Sequence, residues 1–491
     1  MLSGLILLGL LLRLRQYLTW RSLWLDEAML ALNITGRSFA GLLQPLDYDQ
    51  GGPLGFLLAE KLVITLLGNN ELSLRLIPFL AGCAALLLFA LLLRQVTGTT
   101  IGSFTALALF AAGAPLVYYA SEVKQYSSDV FVAVLLLWLA ARHIETPKQG
   151  RDFIILGIAG ALALWCSHPA LFVLIGVGIT LFLHYLRLRD FAHLKQLAIV
   201  ILAWGLSFII LYFVSLRGLA ANQYLLGYWA EAFMPTPPWA HLDWFPNTLK
   251  SMLADPVGLG TFWFLAALLI LIGLAALLRR NWQFGALFGL PLVATLAAAA
   301  LGKYPFAGRI ILFAVPLFLV LIGAGVETLA GWFRRHDAAR LGSAIALLLA
   351  AFLLYQPLSS AAQNFVQPRY YEHIRPTMAY LQANRKPGDV LYIYSWAVPA
   401  FRYYAPFYGF TEGDFIPGNK HVNDPQALLA EIDRLQGGKR VWVLFSHVYE
   451  KGDFNEMDFT LARLDEIGER KREFREPGTS VYLILYDLTP H

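Results

Sequence analysis

The chain has 491 residues, 58% of them hydrophobic and 14% charged, with a mean hydropathy of +0.57; soluble domains carry roughly 25% charged residues, so an ordinary soluble enzyme is excluded. The formal net charge of +5 comes from Lys and Arg scattered between apolar runs, with no basic block, which fits loop orientation in a membrane and excludes nucleic acid as the partner. Cys83 and Cys166 both fall inside apolar runs, which leaves neither a disulfide framework nor a Cys-rich metal site.

Along the chain, about eleven apolar runs approach the roughly 20 residues that cross a hydrocarbon core. They lie near 1–12, 72–93, 101–118, 127–141, 153–165, 169–185, 197–214, 258–278, 284–301, 310–329 and 341–355. Alternating the loops puts Arg94, Arg142, Lys148, Arg151, Arg187, Arg189, Lys195, Arg279, Arg280, Arg334, Arg335 and Arg340 on one side, which the positive-inside rule makes cytoplasmic. Segment 13–71, the turns around Glu122 and His168, segments 217–256 and 302–308, and the chain after Pro357 then face outward. Arg13 and Arg15 run against this pattern. No basic residue precedes the first apolar run, so it reads as a short first helix and not as a cleaved signal peptide.

After Pro357 charges become frequent and the apolar runs shrink to strand length at 389–395, 440–446 and 480–487. Helical spacing at 378–384, 426–435 and 459–469 separates them. The expected organisation is a transmembrane domain over 1–357, with interfacial helices in its first outer loop, and a small extracytoplasmic α/β domain over 358–491.

The first outer loop contains WLDEAMLALNITGRSF. As a helix it lines up Asp26, Asn33 and Arg37 in a polar stripe among apolar residues, as for a helix lying on the membrane surface. Next, LDYDQGGPLGFLL places Asp47 and Asp49 before a turn forced by Gly51, Gly52 and Pro53. Carboxylates beside a bilayer are costly unless compensated, which marks them for function; for Asp26 and Glu27 the alternative is simple complementation of a helix dipole. Further on, YYASEVKQYSSD sets Glu122, Lys124 and Asp129 among Tyr118, Tyr119 and Tyr126, and GKYPFAGR places Lys303 and Arg309 on the outward side, where with Lys124 and Arg37 they could neutralise a phosphate.

Taken in order, the WLDEA helix with its Asp-Glu pair, the YDQGGPLGFLL turn, ELSLRLIPFLAG, YYASEVKQYSSD, the pattern of Arg309, Phe313 and Pro316, and the C-terminal domain resemble the GT-C glycosyltransferases. The resemblance is to the polyprenyl-phosphate-dependent branch that includes protein O-mannosyltransferases and the lipid A aminoarabinose transferase, and it covers most of the chain. It implies a polytopic α-helical membrane protein in the bacterial inner membrane, with its active site on the extracytoplasmic side. The donor would be a polyprenyl-phosphate sugar and the acceptor a lipid, glycan or protein. Asp26 then corresponds by motif to the aspartate that acts at the acceptor; Asp49 and Lys124 correspond by loop position. Gly-Gly-Pro stands where family members carry Pro-Pro, and no Lys follows Asp49.

Such a transfer requires a bound phosphate leaving group, an acceptor nucleophile in line with the anomeric carbon, and removal of its proton. The expectation is Asp26 as base, with Lys124, Lys303 and Arg309 on the donor phosphate, Arg37 and Tyr126 beside them, and Glu27, Asp49 and Glu122 orienting sugar or cations. A one-step displacement inverts the anomeric centre. No HExxH or His cluster points to a metal, although the acids could hold a divalent cation. A transporter or flippase for a lipid-linked saccharide is the competing class; it would show charges at mid-membrane and internal repeats, and these spans are almost uncharged through their centres.

Overall fold

The computed structural model describes residues 2–145, 150–335, 339–421 and 424–489. Met1 and Lys148 lie outside the described residues, as do the side chains of Arg334 and Arg335. Every expected apolar run is helical. Among the described residues eight helices are long and apolar enough to cross a membrane, and the pair Ile101–Ala112 and Ala114–Ser121, bent by 49°, is long and apolar enough only when taken together. The helices Leu2–Tyr17 and Arg151–Cys166 have 16 residues each, about 24 Å at 1.5 Å per residue. The chain is a multi-pass membrane protein.

By internal contacts it forms two units: Met1–Thr19 with Arg37–Pro368, and Trp20–Gly36 with Arg369–His491. In the larger unit the span Gly308–Phe333 is the core, 89% buried, packed by Ile101–Ala112, Trp263–Arg280 and Ala339–Val366. Small residues permit this. A Cβ on Gly102 would lie 2.1 Å from the Gly323 carbonyl oxygen, and one on Gly273 would lie 1.9 Å from that of Leu321. Backbones so close give dispersion contact where lipid offers no hydrophobic drive.

The bend at Gly113 explains the discordant Arg13. Pro115 supplies no N–H there, so carbonyls at the end of Ile101–Ala112 lose their partners. Arg13 is fully buried and donates to the oxygens of Phe110 and Ala111 at 3.2 Å and of Gly9 at 3.0 Å. It is an internal staple, and Arg15 likewise donates to the Phe365 oxygen at 3.1 Å; neither carries an orientation signal.

The smaller unit holds a five-stranded sheet in the order β2-β1-β3-β7-β6, with β1 Val390–Ile393, β2 Ile416–Pro417, β3 Val441–Phe445, β6 Glu469–Phe474 and β7 Tyr482–Asp487, beside a two-stranded ribbon of β4 Glu450–Lys451 and β5 Phe454–Asn455. β1, β2 and β3 are parallel, and β7 and β6 run antiparallel. The three expected strands are β1, β3 and β7. β6 escaped the sequence reading because ERKREF has no apolar alternation: it is an exposed edge with a bulge between Arg470 and Arg472, and charge keeps that edge from pairing further.

The WLDEA helix, Leu25–Gly36, differs from its expectation. It packs on the helix Val398–Tyr404 of the α/β domain and buries residues all round, Glu27 and Asn33 among them. A helix covered on every side has no single polar seam. Asn33 turns back onto the Met29 oxygen at 2.9 Å, and Arg37 lies beyond the helix end.

Candidate active site

In the larger unit the 37–53 segment, the Glu122–Tyr126 turn, segment 217–256 and the turn before Arg309 touch one another. The Asp47–Pro53 turn takes Tyr48 and Asp49 through the left-handed region at φ 62° and 53°. That geometry is uncommon for residues other than glycine. Arg37 ties it down: Nη2 pairs with Asp47 Oδ2 at 2.8 Å and Nη1 donates to the Pro45 oxygen at 2.8 Å. Asp49 Oδ1 accepts from Asn222 Nδ2 at 2.9 Å, and Gln50 Oε1 accepts from Lys124 Nζ at 2.6 Å. Gln50 thus accepts a hydrogen bond from a buried lysine, a role the sequence reading left unassigned.

Glu122, Lys124 and Tyr126 are all buried in the turn that opens the span Tyr126–Glu145. The Arg309 guanidinium stands 5.9 Å from the Tyr126 ring centroid, and Tyr119 meets the same ring edge-on at 5.2 Å. Glu122, Arg309 and Asp255 lie within electrostatic reach of the Tyr119 hydroxyl. A Cβ on Gly308 would come 3.7 Å from Asp255 Oδ2, so Asp255 belongs to this cluster. Its only signal in the sequence is an acid at the end of a polar loop, and it was missed. Lys303, by contrast, is exposed at its turn.

Two further features were hidden from the sequence. Glu60 is fully buried on the helix Leu54–Leu67, and burial pushes its carboxyl well above the usual range; it sits in an apolar run that gave no hint of it. An open cleft of about 630 Å³ is lined by Phe233, Met234, Thr236, Trp244 and Leu301 among others.

In the smaller unit, Asp26 and Glu27 fill the first turn of Leu25–Gly36. Glu27 faces its own loop, 3.8 Å from Arg21 Nη2 and 3.4 Å from the Trp24 N–H. The loop before Asp26 is sewn to the α/β domain. Ser22 Oγ lies 2.9 Å from His373 Nδ1, the Leu23 N–H reaches the Tyr404 hydroxyl at 2.8 Å, and the Leu25 N–H donates to Glu372 Oε2 at 2.9 Å. Asp26 is therefore placed by residues almost 350 positions later, as 372 and 25 differ by 347. Among the described residues no group of three or more His, Cys, Asp and Glu gathers to hold a metal ion.

Residues 51–203 match a family model described as dolichyl-phosphate-mannose-protein mannosyltransferase. No curated protein sequence matches the chain. The structure of ArnT from Cupriavidus metallidurans in the apo state is similar over 98% of both chains, at 14% identity and a TM-score of 0.54. The same enzyme bound to undecaprenyl phosphate is similar over 98% of both chains at 13% identity and a TM-score of 0.51. The oligosaccharyltransferase AglB from Archaeoglobus fulgidus, in complex with an inhibitory peptide and a dolichol-phosphate, is similar over 99% of this chain and 74% of its own, at 13% identity and a TM-score of 0.51. The fold of this chain is that of the GT-C membrane glycosyltransferases.

Proposed function

We propose that the chain is an integral-membrane, inverting glycosyltransferase that moves a sugar from a polyprenyl-phosphate donor to a lipid, glycan or protein acceptor on the extracytoplasmic side. The observation that carries this reading is the charged cluster of the larger unit: Lys124, Glu122 and Tyr126 buried at one end of a GT-C helix bundle, with Arg309 against the Tyr126 ring. Buried charge in a membrane protein that does not staple backbone, as Arg13 does, marks a candidate site for a ligand or a reaction. Lys124 and Arg309 neutralise the donor phosphate as it leaves, and Glu122 and Asp255 hold those cations in place. The exposed Lys303 meets the lipid phosphate from solvent, and the Phe233, Met234, Trp244 and Leu301 side of the open cleft takes the isoprenoid chain. The undecaprenyl phosphate on ArnT and the dolichol-phosphate on AglB support this class of donor.

Asp26 is the general base: it takes the proton from the acceptor hydroxyl, whose oxygen bonds to the anomeric carbon as the bond from that carbon to the phosphate oxygen breaks. Asp26→Asn keeps the helix turn and removes the base. Transfer of radiolabelled sugar from a polyprenyl-phosphate donor, measured with purified protein, should fall by at least about 10²-fold; unchanged transfer would refute the assignment. Activity that survives chelation would rule out a divalent cation as a participant.

A further inference from the structure

The parallel part of the small sheet has a switch point. From β1 the chain passes to β2 on one side, then returns across β1 to β3 on the other. In open sheets of this kind ligands bind beyond the carboxyl ends of the strands, where the direction of winding reverses. Here those ends are Tyr394–Trp396 after β1 and Ser446–His447 after β3.

Four independent features mark that crevice. His447 is held at φ 52°, in the left-handed region, and such strain concentrates at ligand sites. Its ring lies 6.1 Å from that of Trp396 and 6.3 Å from that of Trp24. Lys420 Nζ sits 4.1 Å over the Trp396 ring. The Trp396 indole N–H and the buried Ser446 hydroxyl make no hydrogen bond among the described residues, and a buried polar group without a partner calls for an explanation.

We propose that this crevice is a saccharide subsite that takes a pyranose ring of the acceptor, an inference that rests on the glycosyl-transfer reading above. Aromatic faces match the apolar C–H face of a pyranose. The Trp396 N–H, Ser446, His447 and Lys420 supply donors to its hydroxyl and ring oxygens. The acceptor is favoured over the donor sugar because Glu372 serves both the crevice and the base: Oε1 lies 2.6 Å from His447 Nδ1, while Oε2 takes the Leu25 N–H next to Asp26.

Saturation-transfer NMR on the full-length protein in detergent tests this, with methyl α-glucopyranoside, methyl α-mannopyranoside and methyl α-galactopyranoside as probes. At least one should receive saturation on its ring protons. Trp396→Ala should weaken that binding by at least about tenfold, Lys420→Ala should weaken it less, and Trp396→Phe, which keeps an aromatic face, should restore most of it. Binding unaltered by Trp396→Ala, or no binding of any probe to the wild type, overturns the subsite. Asp26→Asn should bind the probes as the wild type does. Loss of transfer in Asp26→Asn alongside unaltered probe binding in Trp396→Ala therefore sinks the subsite and leaves the reaction standing; the reverse pair sinks the base assignment alone. Trp396→Ala should leave the donor KM within about twofold, and a larger rise assigns the crevice to the donor sugar and overturns the acceptor assignment.

Discussion

Lys124 owes its place to Gln50, an amide oxygen 2.6 Å from its ammonium. An anion that reaches this buried ammonium gains a charge-assisted hydrogen bond. Lys124→Met should lower kcat/KM for the lipid donor by about 10- to 100-fold, the scale of one buried charged hydrogen bond, and Lys124→Arg should recover part of it. Arg309 faces the same phosphate in the proposed reaction, where charge builds on the leaving oxygen. Arg309→Ala should therefore reduce kcat by about 10²–10³, more than it raises KM, in single-turnover measurements. Both residues were legible as cations in the turns between spans. Arg37 was legible too, yet its donors go to Asp47 and to loop carbonyls, because a guanidinium beside a tight turn finds backbone oxygens nearer than any solute.

At the level of elements, the larger unit is built on close helix contact, and its tolerance follows from that. Gly102→Ala places a methyl group 2.1 Å from the Gly323 oxygen and forces the two helices apart. Overpacking of this kind costs about 1–3 kcal/mol and should show as a lowered unfolding temperature in detergent with donor binding otherwise intact. The helix Leu25–Gly36 illustrates the opposite case. Its sequence pattern gave its start within one residue and overran its end by three, while its partner, the helix Val398–Tyr404, lies too far along the chain for any local pattern to name.

For the whole molecule, the α/β domain should set the acid limit of folding. Asp389 is buried beside β1, where burial pushes its carboxyl up, but hydrogen bonds from Arg440, the Lys386 N–H and Trp442 outweigh it and hold it below the usual range. Arg440 Nε reaches it at 2.7 Å and the Trp442 indole at 2.8 Å. A carboxyl depressed in the folded state contributes its full stability above the unfolded value of about 3.9 and loses it as pH falls through the lower folded value. Asp389→Ala should cost about 2–4 kcal/mol at pH 7 by stranding Arg440 and Trp442, and should flatten the acid limb when unfolding of this domain is followed by tryptophan fluorescence between pH 5 and 2.

The sequence by itself determined the membrane class, the order and approximate ends of the spans, the three inner strands and the residues that carry charge at the loop end of the bundle. These depend on local periodicity and on the cost of placing charge in lipid, which any stretch of some twenty residues already records. Only the tertiary structure decided that Arg13 staples a broken helix, that Gln50 holds Lys124, that Asp255 joins the charged cluster, and that Glu372 links Asp26 to His447. Each of these is a hydrogen bond or an electrostatic contact between residues distant in the chain, and such pairings are fixed by how helices and strands pack, not by the pattern within any one of them.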